Sequence, residues 1–240
     1  MSTHRRILVG GWLAAMLLAF GFSLLGGWQW RRMHEKQAML DRVHEVVESR
    51  QAAALAEAAD PAHARDYAWS AGNGRFAEGP AWLLDNQQRD GRPGVRVYRV
   101  FLPDGDALPL LVELGWLPMP PDRRLPALPP PPAGPMSLNG LLMPPPSRGV
   151  LEGEPIETPA GHLVIGLDPA KMATRAGLPA LAPRILRLDP DAPFGHARDL
   201  DVLPNTLPPE KHLGYAVQWF ALAAAVLLTA LVLTLRSRRP

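Results

Sequence analysis

Two long stretches without a charged side chain, Ile7–Trp28 and Leu213–Leu235, flank a middle in which apolar and polar positions alternate over short distances. At 1.5 Å rise per residue, a helix of about 22 residues crosses a hydrocarbon core of roughly 30 Å. The pattern predicts transmembrane helices at 7–28 and 213–235 around a large polar insert. The first stretch exceeds the about 7–15 apolar residues of a signal peptide, and Leu25-Gly26-Gly27-Trp28 offers no A-x-A cleavage site, so it is expected to stay as an anchor. His4, Arg5 and Arg6 precede the first span, and Arg236, Arg238 and Arg239 follow the second. Basic flanks place both termini in the cytoplasm and the insert outside it, in a periplasm or an intermembrane space. Arg31, Arg32 and Lys36 oppose that orientation, but they open a long loop, where charge orients weakly.

The insert opens as a helix. Residues 31–60 are rich in Ala, Glu, Gln, Met and Leu, with Met33, Leu40, Val43 and Val47 near one stripe, and Pro61 stops the pattern. From Tyr67 to Lys211 the texture is that of short strands separated by turn residues. Ala71–Phe76 leads to Ala81–Asn86, where Trp82, Leu83 and Leu84 read as a buried strand. Arg89–Gly94 reads as a turn, and Val95–Phe101 alternates apolar and basic residues as a half-buried strand would. Pro103–Asp106 is a second turn before the apolar run Leu108–Leu117, so the three strands form an antiparallel meander. Pro118–Pro135 holds nine prolines and is expected to be an extended surface connector. Further strands are expected at Ser137–Met143, Leu163–Leu167 and Ile185–Leu188, and a short helix at Pro169–Ala176 with Asp168 as its cap. The fold class is a membrane-anchored α+β chain: two terminal transmembrane helices flanking a β-rich, antiparallel barrel or sandwich.

Composition excludes several functions. There is no cysteine, hence no disulfide, thiolate copper site, iron–sulfur cluster or C-x-x-C-H haem attachment. A net charge of +2 with no basic stripe gives no footprint for nucleic acid. G-x-S-x-G, Walker, H-E-x-x-H and dinucleotide motifs are all missing. Ser70, Ser137 and Ser147 have no base near them in sequence, and His162 and His196 read as solvated loop histidines before they read as metal ligands.

The membrane edge carries more chemistry. On the second helix His212, Tyr215 and Trp219 fall at i, i+3 and i+7, and Gln218 puts an amide into the apolar region. The first span ends in Gly26-Gly27-Trp28-Gln29-Trp30-Arg31-Arg32 at the same depth, with two small residues to let the helices close up. An imidazole, flat aromatic walls and guanidinium forks are the parts of a haem site. They are equally the parts of an ordinary interfacial belt, with Gln29 and Gln218 hydrogen-bonding between helices.

Three blocks in this chain resemble the surfeit locus protein 1 family, the cytochrome c oxidase assembly factors. They are Gly26–Arg32; Pro93-Gly94-Val95 followed by Val112-Glu113-Leu114-Gly115-Trp116-Leu117-Pro118; and His212–Phe220. The resemblance implies a non-enzymatic, multi-pass protein of the bacterial inner membrane with a periplasmic domain. It implies haem a bound transiently at the outer membrane edge and passed to the oxidase catalytic subunit, with haem a synthase as a further partner. His212 falls on the family histidine and becomes the axial ligand of the haem iron; Tyr215, Trp219, Trp28, Gln29, Arg31 and Arg32 complete the expected site. A cofactor-free scaffold holding oxidase subunits is the alternative, and a membrane-tethered hydrolase with its site in the insert is a third. The chain departs from the family at Glu210-Lys211, where an Asn pair is common, and at Glu113, where Asn is frequent.

Overall fold

The structure is a computed structural model that describes residues 3–125, 127–146, 153–203 and 207–237. Pro126, Ser147, Arg238 and Arg239 lie outside the described residues. The chain divides into two compact units, residues 1–41 with 206–240, and residues 42–205.

In the first unit, helix α1 (Thr3–Ser49) and the last helix, α3 (Pro209–Arg236), are each long and apolar enough to cross a membrane. Nothing in the sequence breaks α1 after the apolar stretch, so the expected anchor and the expected amphipathic segment form one continuous helix. That helix ends at Ser49, earlier than the expected residue 60. Arg50 takes a left-handed φ of 44° while its N–H still reaches the Val46 carbonyl, which closes the helix. Its guanidinium then lies over the Trp69 ring, 4.8 Å from the centroid, and reaches Asp189 at 3.1 Å.

The second unit is one mixed sheet. Its strands are β1 (Ala53–Ala54), β2 (Ala68–Phe76), β3 (Ala81–Arg89), β4 (Arg92–Pro103), β5 (Leu110–Pro118), β6 (Met136–Met143), β7 (Ile156–Thr158), β8 (Gly161–Val164) and β9 (Ile185–Leu188). The order is β1-β2-β6-β9-β5-β4-β3-β8-β7, and the end of β2 also pairs with the end of β4. The meander β3-β4-β5 is antiparallel, as expected. The sheet as a whole is not: β1/β2, β3/β8 and β5/β9 run parallel. The expectation of an antiparallel sheet fails because the β7–β8 hairpin and β9 add beside β3 and β5, strands that are not their neighbours in the chain, while β1 joins β2 only after two short 3-10 turns. The connection from β8 to β9 carries α2 (Pro169–Arg175), capped by the Asp168 carboxylate on the Ala170 and Lys171 N–H groups.

The turn between β3 and β4 is tighter than expected. Asp90 and Gly91, at φ 51° and 72°, form a two-residue hairpin turn, and Pro93-Gly94 belong to the strand. The first half of strand β3 is buried on both faces, with Ala81 and Leu83 in one apolar cluster and Trp82 and Leu84 in another. Past Pro118, which ends β5, the Pro-rich connector forms no strand among its described residues, yet it is not wholly superficial: Leu125 is buried and Leu128 packs on the core.

Val95–Phe101 is not half-buried either; every residue in it is buried, Arg96 and Arg99 included. Burial of Arg96 rests on Glu113, one strand over, which is fully buried. Glu113 pairs with Arg96 and accepts from the Tyr98 hydroxyl at 3.0 Å and from Arg187 Nη2 at 3.2 Å. Arg187 Nε also lies 3.1 Å from Glu113 Oε1, a charge contact off the line of its N–H bond. Burial pushes the Glu113 carboxyl up, but Arg187, Arg96 and the hydrogen bonds together outweigh it and hold it below the usual carboxylate range.

The two halves of the middle motif meet in this sheet. Gly94 sits opposite Pro118 and Val95 opposite Leu117, and the Trp116 indole lies on Gly94 while its Nε1–H donates to the Gln87 carbonyl at 3.0 Å. A Cβ on Gly94 would collide with both the indole and the Leu117 carbonyl oxygen. We expect Gly94→Ala to cost at least about 2 kcal/mol, read as a fall in melting temperature of several degrees for the detergent-solubilised chain.

Candidate functional site

In the first unit, α1 meets α3 through a seam of small residues. Ala15, Ala19 and Gly26 are buried on α1, and Ala216 and Ala223 on α3. The spacing is the alternating four-and-three step of one helical face. The Phe220 ring covers Gly26 so closely that a Cβ there would lie 2.8 Å from it, whereas Gly27 faces open space. Only one of the two expected small residues therefore sets the approach. Trp12 Nε1 donates to Thr234 Oγ1 at 2.9 Å toward one end of the pair, and residues 29 and 212 meet toward the other, so the helices are antiparallel.

His212 is buried, 7% exposed, in the first turn of α3. Its Nδ1 lies 2.7 Å from Gln29 Oε1. An amide oxygen only accepts, so Nδ1 carries the proton and donates. The Nε2 lone pair then faces outward: Nε2 has no hydrogen-bond partner among the described residues and is not among the enclosed polar atoms. An imidazole held by one nitrogen with the other open is the arrangement that ligates a metal ion.

The expected aromatic face is split. Trp219 lies on the seam and stacks on Phe22, with ring centroids 5.6 Å apart and planes at 28°. Tyr215 is exposed beside the seam, because the buried positions 212, 216 and 223, with the half-buried 219, run past 215. Trp28 is exposed next to Gln29. Arg32, three residues past Gln29, stays on its side of α1 and pairs with Glu35 at 2.8 Å; Arg31 lies about 200° around from Gln29 at 100° per residue. Gln218 is exposed and forms no hydrogen bond among the described residues. The interhelical amide contact is thus made by Gln29 alone, and to the imidazole.

Phe22 and Phe220 were not among the expected residues. Stepping back from Gln29 by three and four residues finds Gly26 and Phe22, and this signal is present in the sequence. The other candidates do not form a centre. The Ser70 hydroxyl donates to the Ala53 carbonyl at 2.9 Å. His162 lies in β8 against Trp82, and His196 is half-buried, its pKa lowered by burial and then by Arg198 and Arg99. His162 is therefore a strand residue, whereas His196 lies in a loop but only partly open to solvent. Among the described residues, no group of three or more His, Asp or Glu side chains is placed to hold a metal.

No curated protein matches the chain. The model of the SURF1 family matches residues 16–224, a span that holds the Gln29–His212 contact, the Gly94–Trp116 packing and all three motif blocks. A match over most of the chain makes it a member of the SURF1 family, whose members serve in the assembly of cytochrome c oxidase.

Proposed function

We propose that this chain is a non-enzymatic assembly factor that holds haem a at the rim of its two spans and aids its insertion into the oxidase catalytic subunit. The observation that carries this reading is the His212–Gln29 hydrogen bond, which fixes the ring and leaves Nε2 free. Haem a would supply an iron that an imidazole nitrogen can ligate. His212 Nε2 would be that ligand. Trp28, Tyr215 and Trp219 would wall the macrocycle, and Arg32, on the Gln29 side, is better placed than Arg31 for a propionate. A lone imidazole holds without a covalent bond, which suits a group that must be handed on. The two apolar helices and the basic flanks support an inner-membrane protein with both termini in the cytoplasm and the β-rich unit in the periplasm.

In cells lacking this chain, its return should restore the haem a absorbance of assembled oxidase in membranes. His212→Ala should restore less than about a tenth of it while accumulating to the same level. Equal restoration by both would leave a cofactor-free scaffold as the function.

A further inference from the structure

Among the buried arginines of the second unit, Arg99 stands apart by its lack of a negative neighbour. Arg96 and Arg187 face Glu113, and Arg184 lies within electrostatic reach of Asp60. Arg99 is 8% exposed, and its guanidinium donates to two backbone oxygens, Gly79 at 3.0 Å and Pro129 at 3.2 Å. It forms no ion pair among the described residues, and burial, with no carboxylate to offset it, pulls its pKa down. Two carbonyls take two of its five N–H donors and leave the charge uncompensated. A cation withdrawn from water in this way is costly unless something negative comes to it.

Arg99 borders a cavity of about 790 Å³ between the β2–β3 turn, the Pro-rich connector and the β7–β8 turn. That volume falls in the range of about 300–1,000 Å³ typical of small-molecule sites. Phe76, Leu102 and Leu128 give it apolar walls. Its charged lining is Arg75, Arg99 and Glu78, two positive groups against one negative, which leaves +1. A monoanion balances that sum, and a planar guanidinium matches a planar carboxylate.

We propose that this cavity binds a small carboxylate carried on an apolar body, with the carboxylate on Arg99, Arg75 at its mouth, and the body against Phe76, Leu102 and Leu128. The site is separate from the helix rim and does not depend on haem binding there.

Calorimetric titration of the full chain in detergent, with empty micelles as blank, tests it using 4-phenylbutyrate and the uncharged 4-phenylbutanol. The acid should bind at least tenfold tighter than the alcohol. Arg99→Met should weaken the acid at least tenfold and leave the alcohol unchanged. Arg75 is exposed, so Arg75→Glu keeps the test open if Arg99→Met does not fold; by turning the lining to −1 it should also weaken the acid at least tenfold. Equal binding of acid and alcohol, no binding of the acid to the wild-type chain, or undiminished acid binding by either folded variant would overturn the proposal.

Discussion

Purified from cells that make haem a, the His212→Ala chain should lack the Soret band of the wild type, with a loss of at least tenfold per mole of protein. The imidazole is anchored through its other nitrogen by Gln29, and removing it leaves no second histidine in α3. Gln29→Leu should act more mildly. It keeps the ligand but removes the acceptor that fixes tautomer and ring orientation, an outer contact worth about 10–100-fold in metal affinity. Leucine fits a helix seam, so the helices should still pair. A Gln29→Leu protein with undiminished haem content would mean that the hydrogen bond ties the helices together and does nothing for a ligand.

The second large effect lies in the sheet. Glu113→Gln keeps the shape of the side chain but leaves Arg96 and Arg187 buried against a neutral group. Removing one partner from a buried ion pair costs about 3–5 kcal/mol, because the remaining charge stays buried and uncompensated. The melting temperature should fall by several degrees or more. Replacing Arg96 and Glu113 together by leucines should recover part of the loss. The same carboxylate gives stability an acid dependence. Its folded pKa lies below the unfolded one, so its contribution is complete above the usual carboxylate range and fades as pH falls through the folded value. Acid unfolding of the wild type should therefore be steeper below about pH 4 than that of Glu113→Gln. Matching acid profiles, or a Glu113→Gln melting point within a degree of the wild type, would show that the cluster does not depend on its charge.

What the sequence revealed follows from where its signals are local. The two long apolar helices are legible because each carries a long run without charge, and α2 is legible because Asp168 and Pro169 form a start signal within two residues. The β3-β4-β5 meander follows from turn residues and short apolar runs. The parallel neighbours β8 and β9 do not, since a crossover partner leaves no mark in either strand. Arg96 and Arg99 were misread for a related reason: alternation with a basic residue signals a wet face unless a distant carboxylate or carbonyl lies opposite. At the rim, periodicity placed His212 and Trp219 on one side but also included Tyr215. Only the position of the partner helix decides between i+3 and i+4. The Gln29–His212 contact joins residues 183 positions apart and could be seen only once both helices were paired.

The most direct test of the central claim is ligand rescue. His212→Gly, purified in detergent and mixed with haem a, should bind none of it. Adding imidazole to the buffer should restore the absorbance of the wild-type complex, because the free ring can occupy the space vacated beside Gln29. Haem binding by His212→Gly without imidazole, or a wild-type chain that binds no haem under the same conditions, would contradict the account.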